Sequence, residues 1–425
     1  MTMPTAAPRP EGLAAYAAVT AAYWAFMLSD GALRMLVLLH FNALGFSPIQ
    51  LAYLFLLYEL AGIVTNMSAG WIAARFGLTS TLYAGLGLQI LALAALAQLD
   101  PSWTVGASVA FVMAVQGASG VAKDLAKMSS KSAVKVLAPE GDGTLFRWVA
   151  VLTGSKNAVK GAGFFLGAVL LALAGFQTAV WAMAGVLAVI LAAVALFMPS
   201  GLPKGKKGTK LRQIFSGDRR INLLSGARMF LFGARDVWFV VGIPVYFQSV
   251  LSDGTPAGAR AAFFVIGGFM AAWIICYGAV QAAAPKIVKA HGRPAGEITR
   301  IAARWVAALT VIPFALAGAA LLAGGPSTAL TVTLIVGLLA FGFVFAINSS
   351  VHSYLILAFT SAERVTMDVG FYYMANAAGR LTGTLLSGVS YQLGGLPLCL
   401  ATAGVMAGAS WLVVRRIEPK GQVAA

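Results

Sequence analysis

Lys156 and Lys160 lie one helical turn apart inside a run, 148–174, that otherwise has the length and apolarity to cross a bilayer. At ~1.5 Å per residue they fall roughly 12 and 18 Å from the start of that run, near the middle of a hydrocarbon core about 30 Å thick. A charge at that depth is costly, so it faces protein, water or a ligand. Four further cations, Arg34, Arg228, Arg235 and Arg380, lie within apolar runs, against three acids at comparable depth, Asp30, Glu59 and Asp236. Asp368 lies near the start of the eleventh run. Arginine cannot shed its charge, whereas a desolvated lysine can. The excess positive charge is therefore met by water, by carbonyls, by lysine neutralisation or by an anionic substrate. The last accounts for the most residues at once.

Local pairing removes some of these charges from consideration. Asp30 and Arg34 are one turn apart and can neutralise each other. Arg235 and Asp236 are adjacent and point about 100° apart on a helix, so each is expected to find its partner elsewhere. Arg228, two turns into its run, reads as a structural or gating residue as readily as a ligand or pathway group. Arg300 and Arg304 start a run and can snorkel to the surface. Lys156, Lys160 and Arg380 have no acid within four residues and read as ligand or pathway groups.

The elements that position these groups follow from composition. Of 425 residues, 60% are hydrophobic and only 10% charged, far from the roughly 25% charged of soluble domains. The chain reads as an all-α polytopic membrane protein. Spans are expected at 13–40, 50–73, 79–99, 103–122, 148–174, 178–197, 222–250, 261–282, 298–322, 329–355, 366–392 and 397–414, which makes twelve. Residues 1–12 carry one arginine and no cleavage pattern, so the first helix is expected to insert uncleaved.

The net charge of +16 is distributed by side. With the N-terminus inside, inner loops hold Arg75, the 123–147 and 204–220 clusters, Lys286, Lys289, Arg293, Arg364 and the tail Arg415, Arg416 and Lys420. The outer loops hold one cation, Arg260. This is the positive-inside pattern. It places both termini in the cytoplasm, with the lipid bilayer and no nucleic acid as partner; a bacterial inner membrane is the expected location.

The polar stretch 199–220, with seven cations and one acid, divides the chain into six spans (1–198) and six spans (221–425) around a basic cytoplasmic linker. Weak repetition agrees. Phe26-Met-Leu-Ser-Asp30 lies over Phe232-Gly-Ala-Arg-Asp236, and Lys160-Gly-Ala-Gly163 over Arg380-Leu-Thr-Gly383. Two parallel six-helix repeats with a midplane site between them describe one class of secondary transporter. Lys123, Lys127, Lys131 and Lys135 recur every four residues along one helix face. They read as a headgroup-facing inner-surface helix or as an electrostatic funnel for anions.

Other patterns are bland. Cys276 and Cys399 make no metal or redox spacing and read as small apolar residues. Gly161, Gly163 and Gly167 read as close helix packing. His352 suits a packing or hydrogen-bonding role, and Asn66 and Asn348 suit packing or cavity polar positions. Neither a nucleophile–base pair nor paired catalytic carboxylates appear, so an enzyme is not expected, and no cofactor or metal is implied.

Gly70-Trp-Ile-Ala-Ala-Arg75-Phe-Gly77 resembles in part the signature loop of the major facilitator superfamily, with Ala74 where that family carries aspartate. Longer strings resemble its organoarsenical efflux branch, the ArsJ family. These are Tyr23-Trp-Ala-Phe-Met-Leu-Ser-Asp-Gly-Ala-Leu-Arg34, the segment Gly120–Lys135, the segment Leu145–Lys160 and Gly233-Ala-Arg-Asp-Val-Trp238. The resemblance runs from about Tyr16 to Arg416. It implies export of 1-arseno-3-phosphoglycerate, a small anionic organic substrate made by a glyceraldehyde-3-phosphate dehydrogenase when arsenate replaces phosphate, and hence arsenate resistance. Two anionic heads then meet a clamp: Lys156 and Lys160 on one, Arg380 with Arg235 or Arg34 on the other. Asp30 and Asp236 would occupy these cations in the empty site. Asp30, Glu59, Asp236 and Asp368 are the proton-coupling candidates, and exchange against phosphate is the alternative. An organic-phosphate or carboxylate carrier of the same fold would use the same cations. A receptor or assembly factor without flux would have little need of them.

Overall fold

The computed structural model describes residues 10–137, 144–197, 216–289, 293–360 and 365–417. Within its helices the side chains at 10–16, 67, 69–71, 73–76, 78, 128, 131–137, 144–154 and 365–367 are not described. Most of the basic linker and the side chains of Lys131, Lys135 and Arg75 thus lie outside the described residues.

Every described element is helical: α1 (Pro10–Ala43), α2 (Pro48–Phe76), α3 (Leu78–Leu96), α4 (Val105–Leu137), α5 (Thr144–Ala174), α6 (Phe176–Phe197), α7 (Arg219–Val237), a π turn (Trp238–Gly242), α8 (Ile243–Leu251), α9 (Pro256–Ile287), α10 (Ala295–Ala323), α11 (Thr328–Phe359) and α12 (Val365–Val414). Helices begin where the sequence supplies a stop and a cap. Asp218 accepts from the Arg220 amide at 2.8 Å, Thr255 from Gly258 at 3.0 Å and Ser327 from Leu330 at 3.1 Å. Pro48 and Pro256 open their helices, where the missing N–H costs nothing.

Eleven described helices are long and apolar enough to cross a membrane, with α7, the π turn and α8 acting as one. The last, α12, is broken at Gly394 and Gly395, the latter at φ 61°. The break falls in the gap expected between the runs 366–392 and 397–414. Leu173, Leu196, Phe197, Leu322 and Leu393 stand exposed around the outside. Apolar exposure of that extent suits lipid rather than water, and the chain is an integral membrane protein.

The largest boundary difference from the sequence reading is in the fourth run. The fourth run does not end at 122: α4 continues unbroken to Leu137. Lys123 therefore lies within a packed helix and is buried rather than facing headgroups.

Glycines set two close crossings. A Cβ at Gly163 or Gly167 of α5 would collide with the carbonyls of Leu28 and Ala32 of α1. At the corresponding place in the second half, a Cβ at Gly379 of α12 would strike the Met229 carbonyl of α7, and one at Gly383 would lie 2.7 Å from the Gly233 carbonyl. The expected packing role of the α5 glycines is what the helices show.

The π turn follows from Pro244, which lacks the N–H that Val240 would receive and whose ring crowds that carbonyl. The loosened backbone is held from α12. Ser387 Oγ accepts from the Val241 and Gly242 amides at 3.1 and 3.2 Å, and Cys399 Sγ donates to the Val237 carbonyl at 3.1 Å. Cys399 thus does more than fill space.

Candidate functional site

A cavity of about 240 Å³ is lined by helices from both before and after the basic linker. Its walls come from α1, α2, α4 and α5 on one side and from α7, the π turn, α9, α11 and α12 on the other. Phe164 of α5 and Phe239 of the π turn, ring centres 6.0 Å apart, face each other in its lining. Past them the halves interlock. A Cβ on Gly267 of α9 would lie 2.5 Å from Ala168 Cβ of α5, and one on Gly388 of α12 would lie 2.5 Å from the Pro48 carbonyl of α2. At the other end the lining is polar: Asn66, Lys127, Gln281, Ser353 and Tyr373.

Eight cations line this one hollow: Arg34, Lys123, Lys127, Lys156, Lys160, Arg228, Arg235 and Arg380. Four carboxylates meet them. Glu59, Asp124 and Asp236 lie in the lining, and Asp30 lies directly behind Lys160.

The close α1–α5 crossing brings Lys160 Nζ to Asp30 Oδ2 at 2.8 Å, while Tyr58 of α2 donates to Asp30 Oδ1 at 2.5 Å. The expected Asp30–Arg34 pair is therefore not formed. Arg34, a turn further along α1, reaches across to Glu59 of α2 at 3.0 Å, its guanidinium over the Phe55 and Tyr58 rings. The α7–α12 crossing repeats the arrangement, with Arg380 Nε 3.5 Å from Asp236 Oδ2. Arg380 also crosses between the halves to Glu59 at 2.5 Å.

Arg235 and Asp236, expected to part, are paired at 2.5 Å. The Arg235 stem is long enough to fold back over Phe232, and the apolar surroundings reward the shortest neutralisation. Lys127 pairs with Asp124 at 2.9 Å and donates to Asn66 Oδ1 at 2.7 Å, and Thr65 donates to Asp124.

The sequence-derived groups are thus largely brought together. Lys156, Lys160, Arg34, Arg235 and Arg380 share the cavity with Lys123 and Lys127. Asp368 does not: it is buried at the start of α12, accepting from Thr360 Oγ1 at 2.7 Å, and is no part of the lining. His352 is fully buried in α11 with no hydrogen bond to either ring nitrogen among the described residues, so its role is packing. Asn66 is a cavity group, and Asn348 bonds the Val344 carbonyl of its own helix.

No family model and no curated protein matches the chain. Solved structures do. A crystal structure of the nucleoside transporter NupG aligns at 17% identity and TM-score 0.67, covering 96% of this chain and 98% of that one. A transporter of the POT family crystallised with a thioalcohol-conjugated peptide aligns at 13% identity and TM-score 0.71, covering 94% of each chain. A POT family transporter with 5-aminolevulinic acid aligns at 14% and TM-score 0.72, covering 96% of each. The chain shares the fold of these structures. At these identities the likeness is one of architecture, and its neighbours are membrane transporters rather than enzymes.

Sequence reasoning missed Asp124, because it sat two residues past the expected end of the fourth span. It also missed the neutral polar bridge from Asn157 through Gln281 to Ser349, at 3.1 and 3.2 Å, and the acceptor pair around Arg228. Arg228 bonds Asn376 Oδ1 at 3.1 Å and the Ser349 carbonyl at 2.8 Å. Polar residues on cavity faces of the eighth, tenth and eleventh runs were the available signal.

Proposed function

We propose that the chain is a secondary active transporter of the major facilitator type, with twelve spans in two six-helix bundles around a cytoplasmic linker. It carries a small doubly anionic organic molecule out of the cell by alternating access. The observation that carries this reading is the shared cavity, in which eight cations meet four carboxylates and to which helices on both sides of the linker contribute. Among the described residues this leaves a net excess of four positive charges around the cavity, which an anionic ligand would offset directly. The volume, below the roughly 300–1,000 Å³ of pockets for drug-sized ligands, suits a metabolite of few heavy atoms.

The resemblance to organoarsenical exporters supplies the specific substrate, 1-arseno-3-phosphoglycerate. Its phosphate and arsenate-ester heads suit guanidinium and ammonium donors. The scarcity of cysteine also fits, since arsenic behind hard oxygens needs charge and hydrogen bonds rather than thiolates. In this reading the carboxylates hold the cations while the site is empty, and the substrate displaces them. Glu59, Asp30 and Asp236 are the groups through which protons would couple, and the basic inner loops orient both termini to the cytoplasm.

The test uses cells producing both this chain and a glyceraldehyde-3-phosphate dehydrogenase. Arsenate resistance is expected to require both and to fall with Lys160→Gln or Arg380→Gln at equal expression. Full resistance in both variants overturns the reading of the paired cations, and no resistance from the unaltered pair of proteins overturns the substrate. Presenting phosphorylated metabolites in place of arsenate identifies a general organic-phosphate carrier. Transport with and without an imposed pH gradient separates proton coupling from exchange against phosphate.

A further inference from the structure

The four carboxylates do not serve the eight cations evenly. Lys127, Lys160, Arg34, Arg235 and Arg380 each have a carboxylate oxygen within 3.5 Å. Lys123 and Arg228 have none within 4.0 Å among the described residues, although both are buried, 7% and 4% exposed.

What they have instead leaves their charge intact. Lys123 Nζ sits 4.0 Å from the centre of the Tyr58 ring. Arg228 lies 4.0 Å over Phe232 and 5.0 Å over Tyr372. It spends Nε and Nη1 on Asn376 and on the Ser349 carbonyl. An aromatic face gives about 0.5–2 kcal/mol to a cation and neutralises nothing. Neutral acceptors orient a guanidinium fork without cancelling its field.

An anion entering the cavity therefore meets two kinds of positive group. To take Lys160 or Arg380 it must displace a carboxylate already in contact, losing one buried pair to form another. At Lys123 and Arg228 it gains the interaction with no carboxylate to displace. The two also stand on opposite sides: Lys123 on α4 of the first half, Arg228 on α7 of the second.

We propose that Lys123 and Arg228, one from each half, are the primary contacts for the two charged groups of the substrate, so that a doubly anionic molecule bridges the halves and a singly charged one does not. This rests on the anion-transport reading and refines its site. It replaces a clamp centred on Lys160 and Arg380 with one centred on the two cations that have no carboxylate. It also makes the separation of the two charges on the ligand, rather than its total charge, the basis of selection.

The test is titration calorimetry on the full-length purified protein in lipid nanodiscs, with three probes: 3-phosphoglycerate, inorganic phosphate and glycerate. The unaltered protein is expected to bind 3-phosphoglycerate at least about tenfold tighter than either single-headed probe. Lys123→Gln and Arg228→Gln are each expected to reduce 3-phosphoglycerate to the level of the single-headed probes, and Lys160→Gln to cost less than either. Arg415→Gln, at a site stacked on Trp411 away from the cavity, serves as the control and is expected to bind as the unaltered protein does. Wild-type affinity in both Lys123→Gln and Arg228→Gln, with loss in Lys160→Gln, overturns the proposal and leaves the anion cavity standing. No binding of any probe by the unaltered protein overturns both. Should a glutamine variant fail to fold, Lys123→Arg and Arg228→Lys decide the matter. With charge kept and geometry changed, affinity for 3-phosphoglycerate is expected to shift more than about threefold, and no shift overturns the proposal.

Discussion

In the first half of the chain, α1 and α5 cross at glycines and pair Asp30 with Lys160. In the second, α7 and α12 cross at glycines and set Asp236 beside Arg380. The scaffolds match, and the wiring does not. The lysine pair is private to its half, closed by a tyrosine hydroxyl. The arginine pair is shared, with Asp236 also holding Arg235 and Arg380 also holding Glu59 of the opposite half. The reason is visible in the helices: α2 brings Glu59 to the cavity, whereas α9 contains no acidic residue at all. The second half, short of one carboxylate, borrows it across the interface. Glu59 thereby becomes the group that links the two halves through charge, and an anion that draws Arg380 from it weakens that link directly.

Glu59→Gln should break this asymmetry most severely. It strands Arg34 and leaves Arg380 only its longer contact to Asp236, and neither guanidinium has a neutral form to retreat to. A loss of about 3–5 kcal/mol is expected, the range for removing one partner of a buried pair, seen as a lowered midpoint in thermal unfolding of the purified protein. An unchanged midpoint would remove Glu59 from its place as the link. Next, Asp236→Asn should destabilise more than Asp30→Asn, because the first strands Arg235 and removes one of the two carboxylates at Arg380, whereas the second strands one lysine that can lose its proton. Equal midpoints for the two would erase the distinction between shared and private pairs.

Arg380→Lys sharpens the comparison further. A single ammonium cannot fork between Glu59 and Asp236, so transport is expected to fall about tenfold while Lys160→Arg, keeping one partner, falls less. The reverse order in a vesicle flux assay would contradict the shared wiring. Ser387→Ala should have the smallest effect, about 1 kcal/mol or less per lost hydrogen bond at the π turn. Its signature would be faster amide exchange at Val241 and Gly242, and unchanged exchange there would show that the turn holds itself.

Much of the fold was legible because its causes are local. Long apolar runs, proline and capping starts, and the Gly394–Gly395 break are all written in neighbouring residues. The gathering of the buried cations was legible too, since depth in a span can be counted along the chain. Partners were not. Asp30 chose Lys160 over Arg34 because the glycines at 163 and 167 let α5 close on α1, a consequence of packing that spacing along one helix does not contain. Arg235 turned back on its neighbour because a long side chain is not bound by the 100° between successive Cα–Cβ directions. The sequence places Lys123 at the inner surface, as a headgroup-facing or funnel group, because the run of apolar residues stops at 122, while the helix, supported by buried Asp124, Ala126, Ser129 and Ser130, does not.

Everted membrane vesicles offer the most direct measurement. They would be loaded from outside with glyceraldehyde-3-phosphate, the oxidised nicotinamide cofactor, the dehydrogenase and arsenate, and the arsenic retained inside would be counted. The account predicts retention that requires both the dehydrogenase and this chain and that falls to the level of empty vesicles with Arg228→Gln. Retention equal to that of vesicles lacking the chain, or undiminished by removing the charge at Arg228, would contradict it.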